Sequence, residues 1–148
     1  MTAQELSDRL WQFAARIAKV VNALPDSRVG RHVAGQIVRS GIAAAPNYDE
    51  ARSGESRADF VHKVYVALKE LVETRGWLKF IILAGLLAPK QVAVLVDECD
   101  QLCRILGKSI ATAKAARKPG PGAESGKPLP MTNDKFSMTN SQSRSPKF

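Results

Sequence analysis

The chain predicts an all-α fold, an antiparallel up-down-up-down four-helix bundle. Apolar residues recur at alternating four- and three-residue spacing through four segments, the mark of helices packed nearly parallel along a shared seam. Short breaks containing Pro, Gly or Ser separate the segments, and links that short make consecutive helices antiparallel neighbours. No period-two run rich in β-branched residues competes with this pattern.

The first stripe is Leu6, Leu10, Phe13, Ile17, Val20 and Leu24, and Pro25 stops it. The second begins near Val29 and runs through Val33, Ile37, Ser40, Ala44, Tyr48 and Ala51. It contains Pro46, which lies opposite Ile37 at 100° per residue, and a bend there stays off the core side. Ser53-Gly54 then breaks the chain, and Ser56 with Asp59 three residues later is a helix-start signal. The third stripe is Phe60, Val64, Ala67, Leu71, Thr74, Leu78 and Ile81. The fourth follows Pro89, well suited to a first helical position, with Val92, Leu95, Cys99, Leu102, Leu106, Ser109 and Ala113. Arg75 falls on the apolar face of the third helix. It requires a carboxylate, for which Glu50 at the corner is a candidate, or a route out to water.

Residues 1–116 therefore form the bundle. Residues 117–148 are rich in Pro, Gly and Ser, with too little apolar surface to offset the entropy of ordering, and read as a disordered basic tail. The chain carries a net +8. The tail holds six of the basic residues against Glu124 and Asp134, half of that charge on about a fifth of the length. Two cysteines, Cys99 and Cys103, are too few for a disulfide framework and point to a reducing cytoplasm. The start does not resemble a secretory signal. The longest apolar run, Trp77 to Ala88, is interrupted by Lys79 and too short to span a bilayer, so no membrane is expected.

Catalytic chemistry finds no foothold. Asp59-x-x-His62 is half of a di-iron element, without the second copy and extra carboxylates such a site needs. Cys99 and Cys103 lack the further ligands zinc requires. Tyr65-x-x-x-Lys69 has the spacing of a dehydrogenase pair but no glycine-rich nucleotide loop precedes it. The expectation is a non-enzyme with no cofactor and no metal. Apolar residues off the core stripes are more informative. Val66, Glu70, Glu73 and Trp77 gather on a second face of the third helix, and Trp11 flanks the first stripe. These five are the candidate subunit interface.

The stretch Gln36 to Phe80 resembles the four-helix-bundle proteins associated with 23S rRNA intervening sequences. The resemblance is carried by Gln36, Arg39 and Ser40; by Asn47, Tyr48, Glu50 and Ala51; by Ser56, Asp59 and Phe60; and by Glu70, Glu73, Thr74, Trp77 and Leu78. It is dense from 36 to 80 and follows the layout of about 4–115. Pro46 and the long tail depart from the family pattern. The resemblance implies a ring-shaped homo-oligomer, a homopentamer, and a nucleic-acid role. The accessory proteins of diversity-generating retroelements resemble the same family, which implies a reverse transcriptase as a further partner.

The expected function is thus a non-enzymatic oligomeric bundle that binds nucleic acid, RNA in the first instance, through basic surface. Charge of this sign attracts phosphate backbones without reading sequence. Candidate contacts are Arg16, Lys19, Arg28, Arg31, Arg39, Arg52 and Arg57, together with the lysines of the tail. The alternative is a protein-interaction scaffold whose charge only keeps it in solution. No RNA-recognition signature or aromatic stacking set decides between them.

Overall fold

The computed structural model describes residues 1–116, which hold four helices and no strand. The expectation for residues 117–148 lies outside the described residues. The helices are α1 (Ala3–Ala23), α2 (Arg28–Arg52), α3 (Arg57–Leu83) and α4 (Pro89–Ala115). None is long and apolar enough to cross a membrane.

Local chemistry sets the boundaries. At α1 a full capping box forms: the Glu5 amide donates to Thr2 Oγ1 at 3.0 Å, and the Thr2 amide to Glu5 Oε2 at 2.6 Å. Ser27 receives the Gly30 amide at 3.0 Å and Ser56 the Asp59 amide at 3.1 Å. α4 starts on Pro89 with no side-chain cap. α3 ends in a Schellman motif: Leu86 N–H reaches the Ile81 carbonyl at 3.0 Å and Gly85 N–H the Ile82 carbonyl at 3.1 Å. That geometry needs a left-handed residue, and Gly85 supplies it with φ of 66°. α2 continues unbroken through Pro46, and Asn47 Nδ2 donates to the Ala43 carbonyl at 2.8 Å just beyond it.

The stripes meet as a single core built from all four helices. The start of α1 meets the end of α2, with Ser7 Oγ donating to Asp49 Oδ1 at 2.5 Å. Further along, Ile17 lies against Gly41, where a Cβ would come within 2.5 Å of Ile17 Cγ2. Between α2 and α3, Lys63 pairs with Glu50 at 2.7 Å, and the Thr74 and Ser40 hydroxyls lie 2.9 Å apart in the interior. Thr74 also donates to the Glu70 carbonyl at 2.7 Å, so this buried polar pair is satisfied. Between α3 and α4, Cys99 Sγ donates to the Leu71 carbonyl at 3.1 Å. α1 and α4 share the thinnest seam, tied by Arg9 Nε to Glu98 Oε1 at 2.6 Å, Arg9 Nη2 to Glu98 Oε2 at 2.9 Å and Arg9 Nη2 to Gln101 Oε1 at 2.8 Å.

The heptad reading slips by one residue at the helix ends. Val61 is buried at the start of α3 while Phe60 is half-buried, and Ile110 is buried near the end of α4 in place of Ser109 and Ala113. Arg75 corrects a second expectation: its carboxylate is Asp100 on α4, with Nη1 to Oδ1 at 2.8 Å, and Glu50 is held by Lys63.

Candidate nucleic-acid interface

The charge of the described residues is polarised along the bundle. The end of α1 and the start of α2 are joined by residues 24–27, and the end of α3 and the start of α4 by residues 84–88. His32 and Trp77, ring centroids 6.1 Å apart, connect the second helix to the third at this level. A groove lined by Arg16, Lys19, Val20, Ala23, Leu87, Gln91 and Leu95 connects the first to the fourth. All four helices thus bring residues 16–31 and 76–94 to one end. Those segments hold six basic side chains, Arg16, Lys19, Arg28, Arg31, Lys79 and Lys90, and a single acid, Asp26. Among the described residues only Arg31 of the six is in an ion pair, with Asp26 at 2.8 Å. The helices that start here, α2 and α4, have no acid in their first turn, whereas α1 and α3 start at the other end on Glu5 and Asp59. At that other end residues 1–8, 47–65 and 104–116 carry six bases and six acids, a balance of zero.

Four of the seven cations nominated from sequence, Arg16, Lys19, Arg28 and Arg31, therefore come together, and three do not. Arg39 on α2 lies between two carboxylates of α3, with Nη1 3.2 Å from Glu70 Oε2 and Nη2 bonded to Glu73. Arg52 is 3.8 Å from Asp49 and donates to Gln4 at 3.2 Å. Arg57 donates to the Ala116 carbonyl at 2.8 Å. Lys79 and Lys90 were the members missed. Their signal was topological: short links on both sides of α2–α3 put 79 and 90 at the same end as 19 and 28.

The five interface candidates also divide. Val66, Glu70, Glu73 and Trp77 stay together on the α2–α3 side. Trp77 meets His32 and, edge to face, Phe80 at 5.9 Å. Burial raises the Glu70 pKa, against the lowering effect of Arg39. Trp11 is on the α1–α2 side, where its indole N–H donates to Asp49 Oδ2 at 2.8 Å. The Ser7 hydroxyl first, and Trp11 after it, hold the Asp49 carboxyl below its usual range. Three further apolar side chains stand exposed along α3, at Val72, Phe80 and Leu83.

Lys114 Nζ sits 5.3 Å from the centre of the Tyr65 ring. Cys99 and Cys103 are buried free thiols, and the neighbouring Cys103 side chain, followed by burial, pushes the Cys99 thiol far up. Among the described residues no three His, Cys, Asp or Glu side chains gather where they could hold a metal ion.

Two comparisons place the chain among known proteins. Residues 4–108 match the family model described as 23S rRNA-intervening sequence protein. A crystal structure of a Bacteroides thetaiotaomicron protein, described as of unknown function and from the S23 ribosomal protein family, is 30% identical. It covers 71% of this chain and 97% of that one with a TM-score of 0.67. No curated protein matches.

Proposed function

The chain belongs to the 23S rRNA-intervening sequence protein family, and we propose that it is a non-enzymatic, oligomeric member that binds nucleic acid, RNA foremost, through the basic end of its bundle. The observation that carries this reading is six cations against one acid at a single end. Phosphate chains release condensed counterions when cations replace them, and a patch in which five of the six cations are in no ion pair among the described residues supplies that exchange. The residue pairs 7 with 49, 17 with 41 and 50 with 63 support an antiparallel up-down-up-down order. In a pentameric ring with its axis along the helices, the basic ends of all copies share one rim, which multiplies their field. The partly exposed α2–α3 face around Trp77 and Phe80 is the interface this reading assigns. Free cysteines at 99 and 103 fit a reducing cytoplasm. A reverse transcriptase partner follows from the family resemblance alone.

Filter binding of single-stranded RNA across a salt series tests the reading. Log affinity is expected to fall linearly with log salt, by roughly 0.7 per phosphate contact on single strands. No binding at low salt by the intact assembly would leave the protein-interaction scaffold as the better account.

A further inference from the structure

The basic end is not a uniform charged surface. Between the end of α1 and the start of α4 it opens into a groove of about 410 Å³. Val20 and Leu95 are buried at its floor, Leu87 is half-buried, and Ala23 and Gln91 are exposed at its edge. Arg16 and Lys19, one helical turn apart, stand along the α1 wall. The tie from Arg9 to Glu98 and Gln101 closes the seam at the level of residue 98. From Pro89 to that tie α4 rises only about 14 Å. We propose that this groove takes an unstacked nucleobase, with the base face on Val20, Ala23, Leu87 and Leu95, its edge within reach of the Gln91 amide, and its phosphates on Arg16 and Lys19.

The proposal rests on the nucleic-acid reading and adds to it the strand state of the ligand. A nucleotide repeats one anionic group beside one flat, weakly polar face, and the groove sets its cations beside an apolar floor in the same way. The Gln91 side chain has both a donor and an acceptor and makes no hydrogen bond among the described residues, so it can serve a base edge. In a duplex the base faces are stacked, and phosphates, sugars and base edges are offered in their place. Single strands and loops are therefore the preferred ligands, because their bases can leave the stack. An acidic amphipathic helix would also meet cations beside apolar floor. It is the less favoured occupant, because its charges lie on the face opposite its apolar anchors and would point away from Arg16 and Lys19.

The test compares a ten-nucleotide oligo-uridine and oligo-adenosine with an RNA duplex of equal length, using the full chain at fixed salt. The expected result is at least about fivefold tighter binding of the single strands, from the apolar area that a seated base face removes from water. Ala23→Phe fills the groove from an exposed position without removing charge. It should abolish the preference and leave salt-dependent duplex binding intact. Gln91→Ala should weaken binding of the single strands and leave duplex binding unchanged. Equal binding of strand and duplex, or a preference unchanged in Ala23→Phe, overturns the groove assignment while the basic-end reading stands. A Leu/Glu helical peptide that binds and is displaced by Ala23→Phe, with RNA unaffected, overturns it in favour of a protein ligand. Binding of neither polymer removes both readings.

Discussion

Glu98 shows what one side chain does at the thinnest seam of the bundle. Both its oxygens are held by Arg9, and the pair is only 27% and 18% exposed, so solvent screens it incompletely. The Arg9 hydrogen bond is the main reason its carboxyl is held below the usual range. A carboxylate depressed in the folded state contributes stability above its unfolded value, and loses it as pH falls through the folded one. Glu98→Gln is therefore expected to cost about 1 kcal/mol at neutral pH. The difference should vanish well below pH 4.5, where the native side chain is itself protonated. Urea denaturation at two pH values measures both. Gly41 is a second residue whose size matters. An added Cβ would lie 2.5 Å from Cγ2 of the fully buried, β-branched and stiff Ile17. Gly41→Ala should destabilise by about 1 kcal/mol net, overpacking outweighing better helix propensity. Gly35→Ala, with nothing within 4 Å, should stabilise by a few tenths to about 1 kcal/mol.

As an element, α3 carries exposed apolar side chains as well as its core stripe. Its core stripe is complete from Val64 to Ile81, and Val72, Phe80 and Leu83 stand exposed elsewhere on it. Such a helix in a small domain calls for a partner surface. Phe80→Glu is expected to shift the assembly toward monomer in light scattering, with helical circular dichroism retained. Glu73→Lys should do so as well and also cost stability, since it sets a lysine against Arg39 in place of the carboxylate now bound there. An unmodified protein that scatters as a monomer would refute the assembly. The Schellman stop at Gly85 bounds this helix, and any substitution there forces an L residue into φ of 66°.

Across the described residues, 1–116, the charge is sorted by position along the bundle rather than by helix. Arg28→Ala and Lys90→Ala should each lower the slope of log affinity against log salt by roughly 0.7 on single-stranded RNA. Arg39→Ala and Arg57→Ala should leave that slope unchanged, because the first is neutralised by Glu70 and Glu73 and the second lies at the balanced end. Equal effects from all four would mean that binding does not localise to one end. A chain ending at Ala116 is expected to keep its thermal transition, since α4 ends at Ala115.

The helices, their starts and their seams were determined by the sequence alone. Pro25, Ser56 and Pro89 act on the backbone within one turn, and the spacing of Leu71, Thr74 and Leu78 reports the helix period directly. The capping box at Thr2 and Glu5 was equally local and was overlooked. Only the tertiary structure decided which exposed side chains meet. Periodicity gives the angle of a residue about its own axis, but not which neighbouring helix faces it or at what height. Thus Arg75 found Asp100 on α4 and not Glu50, Trp11 and Trp77 went to different sides, and Arg39 left the basic set that Lys79 and Lys90 joined. Water tolerates an exposed lysine at almost any angle, so its placement leaves no imprint on the apolar pattern. Convergence at one end is a property of four chain segments brought together, and no single segment contains it.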